Sequence, residues 1–135
     1  MPRLLKSELM SIHEEDDLPL ARGLVRERAA ALGFSTLDVT KIVTAASELA
    51  RNTLIHGGGG TMRCDTLGDD SRRGLRLTFE DKGPGIPNLE QAMTDGFTTN
   101  RGMGLGLGGS KRLVNEFELV SRPGHGTRVT VTRWG

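Results

Sequence analysis

The sequence holds a single cysteine, Cys64, among its 135 residues. One thiol closes no internal bridge, and no Cys/His cluster offers the ligand spacing of a zinc site. That points to a reducing compartment rather than a disulfide-held secreted scaffold. An excess of one charge is also missing, since Lys plus Arg number 18 and Asp plus Glu 17, for a formal net charge of +1. So balanced a chain gives no electrostatic reason to expect nucleic acid or an anionic membrane as its partner. Nor is there a long apolar run. The opening stretch MPRLLKSELMSIHEED has the form of neither a signal peptide nor a membrane span, which predicts a soluble cytoplasmic protein. The length suits one domain over residues 1–135, burying roughly two thirds of the surface its unfolded chain exposes.

What the sequence has in abundance is glycine, 19 residues placed unevenly between stretches of regular pattern. Residues 8–13 alternate as a short strand, with Ile12 and either Leu9 or Met10 inward. Asp16 and Asp17 before Leu18-Pro19 open a helix that Gly33 closes. Ser35 to Asp38 has the S-x-x-D form of a capping box and starts a second helix running to about His56. Its buried stripe is Val39, Ile42, Val43, Ala46, Leu49 and Ala50. Four glycines, 57–60, end it. Strands follow over 61–67, with Met62 and Cys64 on one side, and through Leu75, Leu77 and Phe79 to Asp81. A short helix over 88–95, a mobile glycine-rich loop over 97–105 and a helix over 106–115 come next. A strand over 117–121, a Pro-Gly-His-Gly turn and a return strand over 127–134, with Val129, Val131 and Arg133 on one side, complete the chain. Helices mixed with neighbouring antiparallel strands predict an α+β two-layer sandwich, helices on one face of a mostly antiparallel sheet.

Three clusters carry chemistry. Glu48, Asn52 and His56 lie at i, i+4 and i+8 and so share one helix face. A polar helix face is ordinarily just a solvated face, and on its own this one decides nothing. Asp81-Lys-Gly83-Pro-Gly85 follows an apolar strand. It is good turn chemistry; it is also a carboxylate able to accept from an exocyclic amine, with glycines that let backbone approach a flat ligand. Gly102-Met-Gly104-Leu-Gly106-Leu-Gly108 runs into a helix, where free N–H groups and the helix dipole favour an anion. It is neither a P-loop, lacking G-x-x-x-x-G-K-[ST], nor a dinucleotide fingerprint fed by a strand.

The order of these clusters, closed by Gly126-Thr127, resembles the N, G1 and G2 boxes of the GHKL ATPases, the superfamily of gyrase, Hsp90, histidine kinases and MutL-type repair proteins. The phrases ALGF, SELARN, EDKGPGIP, DGFTT, GMGLGLGGSKRLVNEF and GTRVTVTRW narrow the resemblance to the RsbT-type stressosome serine/threonine kinases, over nearly the whole chain. The resemblance implies the Bergerat fold with ATP and Mg²⁺ as cofactors. It implies Glu48 as general base, Asn52 as the Mg²⁺ ligand beside the phosphates and Asp81 as the acceptor for the adenine amine. Gly83 and Gly85 would admit the base, Gly102, Gly104, Gly106 and Gly108 would form the phosphate loop and lid, and Thr127 would make a second contact near the adenine. By the same resemblance, the substrates are STAS-domain scaffold proteins of the RsbS/RsbR type, and a PP2C-type phosphatase is the partner activated afterwards. A binding module resembling an anti-sigma factor, with little or no kinase activity, is the alternative; intact Glu48 and Asn52 weigh against it. Arg101, Lys111 and His56 stay open between surface cations and site residues.

Overall fold

The computed structural model describes residues 2–83 and 107–135. The helix expected over 88–95 and the loop expected over 97–105 lie outside the described residues. In chain order the elements are β1 (Arg3–Ile12), α1 (Asp17–Ala31), α2 (Thr36–Ile55), β2 (Gly60–Gly68), β3 (Arg73–Asp81), α3 (Leu107–Arg112), β4 (Glu116–Arg122) and β5 (Gly126–Trp134). The strands form one five-stranded sheet in the order β1-β2-β3-β5-β4, and every neighbouring pair is antiparallel. Period-2 alternation then sorts the side chains. Met62, Cys64, Leu75, Leu77, Phe79, Val129 and Val131 share one face and form a single core with Ala21, Val25, Ala29, Ile42, Val43, Ala46, Leu49 and Ala50 of the helices. This is the α+β two-layer sandwich that the alternation of patterns predicts. No helix among the described residues is long and apolar enough to cross a membrane.

Local chemistry explains the helix limits. Asp17 Oδ2 accepts the backbone N–H of His13 at 2.9 Å and of Glu14 at 3.0 Å, which fixes the turn into α1. Gly33, at φ +81, ends that helix. Its N–H donates to Ala30 O and that of Phe34 to Ala29 O, the paired bonds of a Schellman cap that a left-handed residue makes possible. Ser35 caps α2 by accepting the Asp38 N–H at 3.1 Å. Asp38 does not complete a reciprocal box. Its carboxylate instead takes Arg133 Nη2 at 2.5 Å, and Arg133 Nη1 donates to Leu113 O at 2.9 Å. Arg133 therefore does face the helix layer with Val129 and Val131, and it ties β5 to the start of α2 and the end of α3.

Two boundaries differ from expectation. β1 begins at Arg3, not at residue 8, because an edge strand is held by pairing rather than by burial: Arg3 to Ile12 pair along β2 with one irregularity between Leu4 and Lys6. Met10 and Ile12 are the inward residues, and Leu9 is 58% exposed. α3 stops at Arg112 rather than reaching Asn115. Leu113 N–H turns back to Ser110 O, and Asn115 N–H has already joined β5 at Thr132 O.

Candidate functional site

The last turn of α2 meets the ends of β3 and β5 at a pocket. Leu49, Phe79, Leu107 and Val129 supply its apolar wall; Asn52, Thr53, His56, Asp81 and Thr127 supply polar groups, with Gly57 between them. Three residues singled out in the sequence, Asn52, Asp81 and Thr127, are thus brought together from three elements. Glu48 is exposed one helical turn before Asn52 and is not part of the pocket wall. Gly83 lies beside Asp81, and Gly108 lies in the first turn of α3. Gly85, Gly102, Gly104 and Gly106 are outside the described residues.

Close backbone approach builds the Asp81 end. His56 N–H and Gly57 N–H both donate to the Asn52 carbonyl, each at 3.0 Å, and Gly59 N–H donates to Thr53 O at 2.9 Å. These bonds fold the chain from α2 straight into β2 and press Gly57 onto Asp81. A Cβ on Gly57 would collide with the Asp81 carboxyl, and one on Gly83 would stand 2.8 Å from Gly57 Cα. On the other side Gly126, at φ +88, leaves no room for a Cβ beside the Asp81 carbonyl. Each glycine is therefore required by a neighbour distant in sequence.

The Asp81 carboxylate accepts Gly83 N–H at 2.9 Å. Burial pushes its pKa up, while the backbone N–H groups of Gly83 and Thr127 pull it down. Among the described residues no Lys or Arg forms an ion pair with it. An acceptor in that state, at the rim of an apolar slot, suits a flat ligand that brings its own N–H donor. Thr127 Oγ1 lies 2.9 Å from Ser121 Oγ on the adjoining strand. No group of three or more His, Cys, Asp and Glu residues able to hold a metal occurs among the described residues. A cation at this site would draw most of its oxygens from its ligand, with the Asn52 amide as a protein donor.

Sequence reasoning missed Gly57 as part of the site, and it read Leu49, Phe79 and Val129 only as core. Gly57 looked like the first of a helix-ending run. Its contact with Asp81 exists only once β3 returns beside α2, so no local signal marks it.

The family described as Histidine kinase-, DNA gyrase B-, and HSP90-like ATPase matches residues 37–134. The chain belongs to this family, the GHKL ATPases. Among GHKL proteins it is 45% identical over 123 residues to the serine/threonine-protein kinase RsbT of Bacillus subtilis (strain 168), covering 91% of this chain and 92% of that one. That makes it a serine/threonine kinase of the RsbT type, and ATP use comes with the family. It is also 32% identical over 132 residues to the anti-sigma F factor of Thermoanaerobacter sp. (strain X514), covering 94% of this chain and 92% of that one. Solved structures agree on the fold. The RsbU and RsbW domains of Rv1364c from Mycobacterium tuberculosis align with TM-score 0.63 at 23% identity, over 93% of this chain and 32% of that one. The catalytic domain of histidine kinase ThkA aligns with TM-score 0.56 at 18% identity, over 93% of this chain and 95% of that one.

Proposed function

We propose that this kinase phosphorylates a Ser or Thr of STAS-domain scaffold proteins of the RsbS/RsbR type, in a cytoplasmic partner-switching stress response of the stressosome kind. It then binds and activates a PP2C-type phosphatase. The observation that carries the reading is the union, in one pocket, of Asp81, which has no ion-pair partner among the described residues, with Asn52 and Thr127, and with the exposed carboxylate Glu48 one turn before Asn52 on α2. Bound Mg²⁺-ATP supplies the transferable γ-phosphoryl group and the charge that offsets it. The apolar wall and the Gly57–Asp81–Gly83 cradle fit a purine, and the Asn52 amide oxygen would hold the Mg²⁺. Asp81 would accept from the adenine amine, Gly83 and Gly85 would admit the base, and Thr127 would make a second contact beside it. Gly102, Gly104, Gly106 and Gly108 would offer backbone N–H groups to the phosphates. Glu48 orients the incoming hydroxyl and takes its proton; an exposed position suits a base that must meet a protein substrate.

The test is single-turnover transfer from labelled ATP to a purified STAS partner, with nucleotide binding measured alongside. Glu48→Gln should keep ATP affinity within a few fold and lose transfer by about 10²–10⁴. Transfer at the native rate in that variant would remove Glu48 from the role of base. The 32% identity to an anti-sigma F factor supports a second reading, a binding module that works by holding a partner. A native protein that binds a STAS partner but transfers no phosphate to it would favour that reading.

A further inference from the structure

Arg133 stands at the opposite end of β5 from Thr127, on the same helix-covered face, and holds two other elements at once. Its Nη2 donates to Asp38 Oδ1 at 2.5 Å, in the first turn of α2, and its Nη1 donates to Leu113 O at 2.9 Å, one residue past α3. Asn115 N–H donates to Thr132 O at 2.9 Å and Trp134 N–H to Asn115 Oδ1 at 2.7 Å, so the chain leaving α3 is fixed to β5 beside the guanidinium. The Arg133 side chain is 13% exposed, and its Nε is buried with no hydrogen-bond partner among the described residues. An unpaired buried donor costs stability, and Val129 and Val131 show that this face accepts apolar side chains. What the arginine supplies that a valine cannot is a rigid fork, one arm on the start of a helix and the other on the end of the next.

Those two helices meet at the pocket. α2 carries Glu48 ten residues after Asp38, a lever of about 15 Å by the rise of a helix, and Asn52 one turn further on. α3 begins with Leu107, which lines the pocket with Leu49, Asn52 and Thr53 of α2. We infer that Arg133 is a positioning residue for phosphoryl transfer: by gripping the start of α2 and the end of α3, it sets the spacing between the helix that bears Glu48 and Asn52 and the helix into which the glycine run leads. The inference rests on the reading of Glu48 as the base and Asn52 as the metal ligand. A tilt of α2 at Asp38 grows along that lever, and a misplacement of about 1 Å costs a reaction roughly 10²-fold. Asp81 and Thr127, which would hold the nucleotide base, stand on β3 and β5 and not on the helices that the fork spaces. The loss therefore falls on the transfer step more than on nucleotide affinity.

The experiment measures single-turnover transfer from labelled ATP to a purified STAS partner, with ATP affinity by calorimetry, on the full chain and well below the melting temperature of each variant. Arg133→Met keeps the stem and loses both bonds; Arg133→Lys keeps a cation that reaches one partner but not two. Asp65→Asn, which breaks an ion pair on the other face of the sheet, is the control for lost stability. The expected result is transfer slowed about 10²-fold in Arg133→Met and about tenfold in Arg133→Lys, with ATP affinity within about threefold of native in both. Asp65→Asn should transfer at the native rate. If Arg133→Met does not fold, Arg133→Lys carries the test. Native-rate transfer in the Arg133 variants would overturn the inference. So would equal loss of affinity and transfer, or an equal loss of transfer in Asp65→Asn, either of which would reveal a merely structural arginine. These results leave the kinase reading standing, whereas a native protein that transfers no phosphate to a STAS partner would bring down that reading and the inference together.

Discussion

Asp65 in β2 and Asp81 at the end of β3 are carboxylates of one sheet, turned to opposite faces. Asp65 looks away from the helices, yet its side chain is only 4% exposed. Ser7 Oγ donates to it at 2.6 Å, and Arg76 donates through Nε at 3.2 Å and Nη2 at 3.0 Å. The Arg76 side chain that pairs with it is itself 39% exposed. Asp81 looks into the helix-covered pocket and is given backbone N–H groups but, among the described residues, no cation. The fold completes the first carboxylate internally and gives the second no ion-pair partner among the described residues, as the proposed ATP site requires. A structural charge is paired where it stands; a recognising charge is kept short of a partner, at some cost to the unliganded fold.

That contrast is open to direct tests. The largest effect is expected at Asp81, where Asp81→Asn should weaken ATP binding at least about tenfold, because a donor on the base loses a charged acceptor. Its thermal stability should match or exceed that of the native protein. A variant that lost stability while keeping affinity would erase the distinction. Asp65→Asn should behave in the opposite sense. It loses its charge-assisted bonds to a half-exposed arginine, so stability should drop by roughly 1–2 kcal/mol in denaturant titration, with ATP affinity within about twofold of native.

The smallest effect is in the pH dependence. The Asp81 pKa is raised above its ordinary value of 3.8 by burial. The folded state therefore holds that proton more tightly than the unfolded chain, and its contribution to stability is lost as pH climbs through the raised pKa. Glu8, beside Arg28, and Asp38, beside Arg133, have lowered pKa values and act the other way, their contributions vanishing as pH falls. The stability of Asp81→Asn relative to native should thus grow with pH from the ordinary aspartate range upward, as followed by melting temperature in a buffer series. A difference that shrank with rising pH would put the Asp81 shift in the wrong direction.

Much of this was legible in the sequence because it is local or periodic. The alternation of Leu75, Leu77 and Phe79, and of Val129, Val131 and Arg133, identifies the buried face of two central strands. Ser35 and Gly33 mark helix ends by their own chemistry. Asn52, Asp81 and Thr127 were legible as a set through the order of their motifs. What escaped depends on register between distant segments. The first half of β1 carries exposed leucines, Leu4 and Leu5, and is a strand only because β2 is there to pair with it. Asp38 looks like half of a capping box until β5 brings Arg133 to it. Gly57 acquires its meaning only when β3 lies beside the end of α2 and brings Asp81 against it.

Cys64 gives the molecule a clock. It is the sole thiol of the chain, it sits in β2 opposite Glu8, and burial pushes its pKa up to about 12. Only a thiolate attacks an alkylating reagent, so the closed protein at neutral pH is mute to one. Each molecule that reacts has first lifted its helices from the sheet, and the rate of labelling times that event. A ligand that binds only the closed form slows the clock by the factor one plus its concentration over its Kd. The core of the native chain thereby reports how firmly the pocket at its edge is occupied, with no probe added.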